Sequence, residues 1–351
     1  MGKMTTMIFK NATYSSKNTI FDQVEKYIND FLSLMPEGVE KVEDIDELLS
    51  PSGVASELFA AFCESGGRVG RFFAMLMLSA IFAYLASVYS GRLSPFLESC
   101  ICVVSLAPTV YELLSLAVEV TSGIDKICVF FSSLIPLILS VMIASGGGGA
   151  SAVSGVQMSI VASAVQVISA EILLPMVRAM LILGGLSAFD GSGAERLILT
   201  MRNVFTKGLG FASTIVCSLF ALQSVIAGAS DTATLRLAKF TAQSLAPSVG
   251  AIITASMSTL SSGLAYARGI IGAGAIGAII WIMLSPLAVL LLYRLAVEIC
   301  LGFAKSLGVK SYSRGLSAIQ YALDGLISVF IVSGVLFIFQ LVIFIKSGSE
   351  I

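Results

Sequence analysis

The chain has 351 residues, 56% of them hydrophobic and 12% charged, with a mean hydropathy of +0.94. A soluble domain carries about 25% charged residues, so this chain lacks the polar groups to cover a water-facing surface, and bulk water is excluded as its main solvent. It has no histidine, the side chain most used for acid–base work near neutral pH and for metal ligation. A net charge of −1 without a basic run argues against nucleic acid as a partner. Neither catalysis nor a cofactor is expected.

The charge is unevenly spread. Residues 1–71 hold 11 of the 22 acidic and 7 of the 21 basic side chains. This predicts an acidic, soluble helical segment over residues 1–70 and a polytopic membrane domain over 71–351. At the N-terminus, Met7-Ile8-Phe9 is the only apolar patch before Asn11, well short of the roughly 7–15 apolar residues of a secretory signal. Thr19 to Leu34 places Phe21, Val24, Tyr27, Ile28, Phe31 and Leu32 at helical spacing. A second amphipathic stretch, Val42 to Leu49, stops at Ser50-Pro51-Ser52-Gly53.

The first span is Phe72–Ser90, uncharged and bracketed by Arg71 and Arg92, with the roughly 20 residues that a bilayer core requires. Cys100–Val118, with Pro108 and Glu112 inside, is a second. Ile127–Ser145, with Pro136 inside and Gly146–Gly149 as a stop, is a third. Ala152–Leu183 is broken by Glu171, Pro175 and Arg178, and reads as one tilted or kinked helix or as a span continuing into the interface. Ala194–Lys207 has Leu197, Met201, Val204 and Phe205 on one face and charges on the other, as in a helix lying in the membrane surface. Leu209–Gly228 is a fifth span. Residues 240–262 are only moderately apolar and read as a poor span or a re-entrant segment. Ile270–Leu292 is a sixth span, Lys305–Leu326 is amphipathic, and Ile327–Ile345 is the seventh. The fold class is therefore all-α, with about seven transmembrane helices and amphipathic surface helices.

Two echoes at an offset of 139 residues suggest a weak internal duplication whose second copy starts near residue 194. Ala55-Ser56-Glu57-Leu58 pairs with Ala194-Glu195-Arg196-Leu197, and Ser105-Leu106-Ala107-Pro108 with Ser244-Leu245-Ala246-Pro247. If there are seven spans, one side of the membrane collects Arg68, Arg71, Lys126, Arg196, Arg202, Lys207, Lys305, Lys310 and Arg314. The other collects Arg92, Arg236, Lys239, Arg268 and Lys346. That bias puts the N-terminus in the cytoplasm.

Gly272, Gly274 and Gly277 fit GxGxxG, with Glu298 21 residues beyond the last glycine. A dinucleotide site needs a preceding strand and an open helix N-terminus. Here the glycines lie inside an apolar run and read as a helix-packing face. The six cysteines, Cys63, Cys100, Cys102, Cys128, Cys217 and Cys300, form no CxxC and mostly lie in apolar runs, so no metal site is expected.

The charges inside apolar runs are the better functional candidates. Glu171 and Arg178 are seven apart on one helical face, Arg294 and Glu298 are four apart and can pair, and Glu112 and Glu119 share a face. The alternative to a pathway lining is structural pairing, or snorkelling of Arg178 and Arg294 near helix ends. Pro108, Pro136, Pro175, Pro247 and Pro286 each lie in or beside an apolar segment, where they kink helices.

Leu235-Arg236-Leu237-Ala238-Lys239-Phe240, Ala246-Pro247-Ser248-Val249-Gly250 and Gly269-Ile270-Ile271-Gly272 resemble the stage III sporulation protein AE family. So do Leu134-Ile135-Pro136 and Leu173-Leu174-Pro175. The most specific matches are Ala238, Lys239 and Phe240, with Pro247, Val249 and Gly250. The resemblance implies a polytopic protein of the mother-cell membrane that engulfs the forespore, within a channel or secretion-like complex joining the two cells. Its partners would be the other stage III A proteins: an ATPase, membrane proteins and ring-forming proteins. The chain departs from the family in lacking the signal-like N-terminal segment that members often carry. Two other readings stay open: a secondary transporter relaying protons through Glu171, Arg178, Arg294 and Glu298, and a purely structural membrane scaffold; a homo-oligomer is among the partners to expect.

Overall fold

Ser50-Pro51-Ser52-Gly53, expected to end an amphipathic stretch, also opens a helix. In the computed structural model, which describes residues 50–89, 95–144, 148–187, 193–194, 196–211, 213–216, 218 and 247–346, Ser50 is an N-cap. Its Oγ accepts the N–H of Gly53 at 3.1 Å, and its carbonyl accepts that of Val54 at 3.0 Å. Pro51 follows at the first helical position, where its missing N–H costs nothing. Helix α1 then runs from Pro51 to Tyr89 without a break, through position 70.

Helix α2, Pro95–Ala144, is 50 residues long and contains both the second and third predicted spans. The sequence places a break at residues 119–126 because charges collect there. Charge alone does not stop a helix, and that stretch has no proline. Gly123, its one weak helix former, is buried between α2 and its neighbours, with Phe330 and Pro286 at ordinary contact distance from where its Cβ would sit. Pro108 and Pro136 lie inside α2 without ending it.

Helix α3 (Gly148–Val167) passes through a π turn, Ile168–Leu173, into α4 (Leu174–Ser187). The wide turn ends just before Pro175, whose ring nitrogen cannot donate, so the helical ladder is interrupted where the sequence predicts a kink. Helix α5 covers residues 196–211. Its buried face differs from the expected one: Ile198, Met201, Phe205 and Leu209 pack on the core, while Leu197 and Val204 are exposed.

Helix α6 runs 60 residues, Pro247–Ser306, so residues 247–262 are the start of a continuous helix rather than a re-entrant segment. Helix α7, Lys310–Lys346, likewise joins the last amphipathic stretch to the last span. Between them Gly308 adopts φ +76°. The N–H of Val309 reaches Ala304 O at 3.3 Å and that of Gly308 reaches Lys305 O at 3.1 Å. This is a Schellman ending, in which a left-handed glycine satisfies the last carbonyls of α6 and turns the chain back.

The result is a bundle. Helices α6 and α7 form a long antiparallel hairpin, α1 packs on α6 and α2, α4 packs on α7, and α2 touches α3, α6 and α7. Phe131 and Phe337 meet with ring centroids 4.5 Å apart, and Phe72 and Tyr293 with centroids 4.8 Å apart. Tyr312, fully buried, donates its OH to Leu76 O at 2.8 Å, and Ser79 donates to Ser105 O at 2.8 Å. Small residues set the closest approaches: a Cβ on Gly184 would lie 2.7 Å from that of Ala318, and one on Gly315 would lie 2.6 Å from Leu106.

Five helices among the described residues are long and apolar enough to cross a membrane: Pro51–Tyr89, Ser99–Ala144, Gly155–Gly184, Tyr266–Ser306 and Lys310–Ile345. The count of seven is not reached, because two predicted spans merge in α2 and most of Leu209–Gly228 lies outside the described residues. Lys126, assigned from the sequence to a loop, is inside α2, so the orientation argument loses one of its loops. Of the two echoes, Glu195 and residues 244–246 lie outside the described residues. Outward-facing Leu78, Phe82, Val88, Leu295 and Val335 are each more than half exposed, as suits a surface covered by lipid or by further protein.

Candidate functional site

Charged side chains gather in a band across the bundle. On α1, Arg68 Nη1 donates to Glu119 Oε2 of α2 at 3.0 Å. Two turns earlier on α2, Glu112 Oε1 accepts the phenol OH of Tyr293 at 3.0 Å. Tyr293 is itself buried against Phe72. The next residue of α6, Arg294, donates through Nε to Asp324 Oδ1 of α7 at 2.9 Å, and through Nη1 to Glu298 Oε2 at 2.9 Å. The other oxygen of Asp324 accepts from Arg202 Nη2 of α5 at 3.4 Å, and the Arg202 guanidinium lies 4.7 Å from the ring centroid of Tyr321. Three separate groups of charge-assisted contacts therefore tie α1 to α2, α2 to α6, and α5, α6 and α7 to one another.

The sequence-predicted residues divide sharply. Arg294 and Glu298 meet at 2.9 Å. Glu112 and Glu119 serve different partners, Tyr293 of α6 and Arg68 of α1. Glu171 and Arg178 are both exposed, and neither makes an ion pair among the described residues. Glu171 lies within the π turn, which inserts about one residue into the helical register, so the seven-residue spacing no longer keeps the two on one face. Among the described residues no ion pair joins Glu171 or Arg178 to Arg294 or Glu298.

Gly272, Gly274 and Gly277 are buried within α6. At Gly272 an added Cβ would collide with Ile345 of α7, as one at Gly334 would with Met283. The GxGxxG run is thus inside a continuous helix that begins at Pro247, well ahead of Gly272. Ala238, Lys239 and Phe240 lie outside the described residues, while Pro247 is the first residue of α6 with Val249 and Gly250 just behind it.

Asp324 is the residue that the sequence reading misses. It joins α5, α6 and α7, and it was legible as the only charged side chain in residues 315–345. A lone carboxylate in an apolar run needs a partner, but the amphipathic reading of Lys305–Leu326 hides it among neighbouring cations. Tyr293 and Arg68 carry no sequence signal beyond their residue type.

Chemically, the band is a set of answered charges. It locks helices together. Among the described residues no three acidic or cysteine side chains come together as a metal site.

A family model described as stage III sporulation protein AE matches residues 30–348. The stage III sporulation protein AE of Bacillus subtilis (strain 168) is 23% identical over 299 residues, covering 79% of this chain and 74% of that protein. No solved structure matches.

Proposed function

The chain belongs to the stage III sporulation protein AE family, and on that premise we propose that it is a multi-pass membrane component of the stage III A channel or secretion-like complex. That complex joins mother cell and forespore and is required for forespore maturation. Family membership implies a role in sporulation, and the match over residues 30–348, which spans all five apolar helices, is the observation that carries the reading. In this reading the chain resides in the mother-cell (outer forespore) membrane and has no catalysis of its own. It organises or lines the conduit beside an ATPase, other membrane proteins and ring-forming proteins. Broad outward apolar faces on α1, α6 and α7 support contact with lipid or with such partners.

Affinity purification of the full chain from sporulating cells tests this. Recovery of other stage III A proteins is expected; their absence from the captured material overturns it. The transporter reading draws less support, because no ion pair among the described residues joins Glu171 or Arg178 to Arg294 or Glu298. If Glu171→Gln and Glu298→Gln cells sporulate normally, a proton relay through these residues is excluded.

A further inference from the structure

Beside the charged band, where α1, α2 and α6 meet, lies a cleft of about 340 Å³, at the small end of the roughly 300–1,000 Å³ typical of ligand sites. Its polar lining comes from Glu64, Arg68, Glu119, Ser122, Lys126 and Ser285, with Ser65, whose hydroxyl is already given to Ala61 O. Arg68 and Glu119 answer each other at 3.0 Å. Glu64 and Lys126 do not: both are exposed, they stand on different helices, and neither makes an ion pair among the described residues. The cleft therefore presents, between apolar walls, one carboxylate and one ammonium that form no ion pair with each other, with the Glu64 carboxylate also in the field of Arg68. Pro286 has no N–H to give to the carbonyl of Ile282, and both residues line the same cleft. That backbone oxygen and the hydroxyls of Ser122 and Ser285 add neutral hydrogen-bonding groups to the lining.

A simple cation would meet Lys126 and Arg68 here, and a simple anion would meet Glu64 and Glu119. The charge pattern disfavours both and favours a molecule carrying both signs. We propose that this cleft binds a small zwitterion, its ammonium toward Glu64 and its anionic group toward Lys126, with Ser122 and Ser285 holding the polar atoms between. The same chemistry is offered by a free amino acid and by the headgroup of a zwitterionic phospholipid. The site stands on its own geometry and does not depend on the assembly proposed above.

The test uses the full chain, purified in detergent, with four labelled probes in equilibrium binding. Alanine represents a free zwitterion and glycerophosphoethanolamine the soluble headgroup; propionate and ethylamine each carry a single charge. Saturable binding of at least one zwitterion is expected, and which one binds identifies the source. Glu64→Gln and Lys126→Gln should each weaken it by about tenfold or more, the loss of one charged hydrogen bond. Glu57→Gln, on the same helix but outside the cleft, should leave it unchanged. Gel filtration matching the wild type shows that the variants remain folded. Failure of both zwitterions to bind, equal binding of propionate or ethylamine, or undiminished binding in both cleft variants overturns the proposal.

Discussion

The α6–α7 hairpin and the broken helix α3–α4 carry the same kind of sequence signal, an acid and a base a few residues apart in an apolar run, and they use it differently. In the hairpin, Arg294 meets Glu298 on its own helix and Asp324 on the next, and Asp324 also holds Arg202 of α5. In α3–α4, Glu171 and Arg178 stay exposed and unpaired among the described residues. The two regions differ in what another helix brings. Spacing along one helix can pair two side chains at i and i+4, as at Arg294 and Glu298, but the carboxylate that anchors the hairpin comes from across the interface. A π turn before Pro175 is enough to spoil the longer spacing.

This contrast can be broken in several ways. Asp324→Ala removes a carboxylate shared by two guanidinium groups, and should cost about 1.5–3 kcal/mol, the range of hydrogen bonds to charged groups. The drop in thermal unfolding midpoint in detergent measures it. Adding Arg294→Ala on top should cost less than it does alone, since the two act through one contact.

Gly334→Leu and Gly272→Leu should each destabilise the hairpin by about 1–3 kcal/mol through overpacking against Met283 and Ile345. Gly269→Leu, on the same helix with nothing within 4 Å of its added Cβ, is the matched control and should leave the midpoint in place. A scaffold role for the glycine face would fail if all three variants behaved alike.

Gly308→Ala should cost about 1–2 kcal/mol, because the +76° φ that ends α6 is unfavourable for any side chain. Protease nicking at the 307–309 turn should rise with it. Smallest of all, Glu171→Gln and Arg178→Gln should shift the midpoint by no more than about 0.5 kcal/mol, as for surface positions without partners. A large loss there would show that the broken helix has a partner for its charges after all, and the contrast between the two regions would disappear.

Much of the fold was legible. Apolar runs located five helices because the length of a bilayer span and the spacing of polar residues are both local properties. The joins were not legible. Charges at residues 119–126 imitate a loop, yet a helix continues wherever its backbone can keep bonding, and only a left-handed residue such as Gly308 turned the chain between α6 and α7. The burial of α5 was misread because Leu197 and Val204 are as hydrophobic as Ile198 and Leu209, and only the neighbouring helices decide which face is covered. Within the charged band, Arg294 and Glu298 could be paired from spacing. Arg68 with Glu119 and Glu112 with Tyr293 could not, since 51 and 181 residues separate those partners.

The central claim is that the contacts joining helices through Asp324, and not the unpaired charges of the broken helix, sustain the chain's role in sporulation. Counting heat-resistant spores in strains carrying Asp324→Ala or the Glu171→Gln/Arg178→Gln pair, at matched levels of the chain in the membrane fraction, tests it directly. The account predicts a marked loss of spores for Asp324→Ala and wild-type counts for the double variant. Normal counts for Asp324→Ala, together with a loss for the double variant, would contradict it.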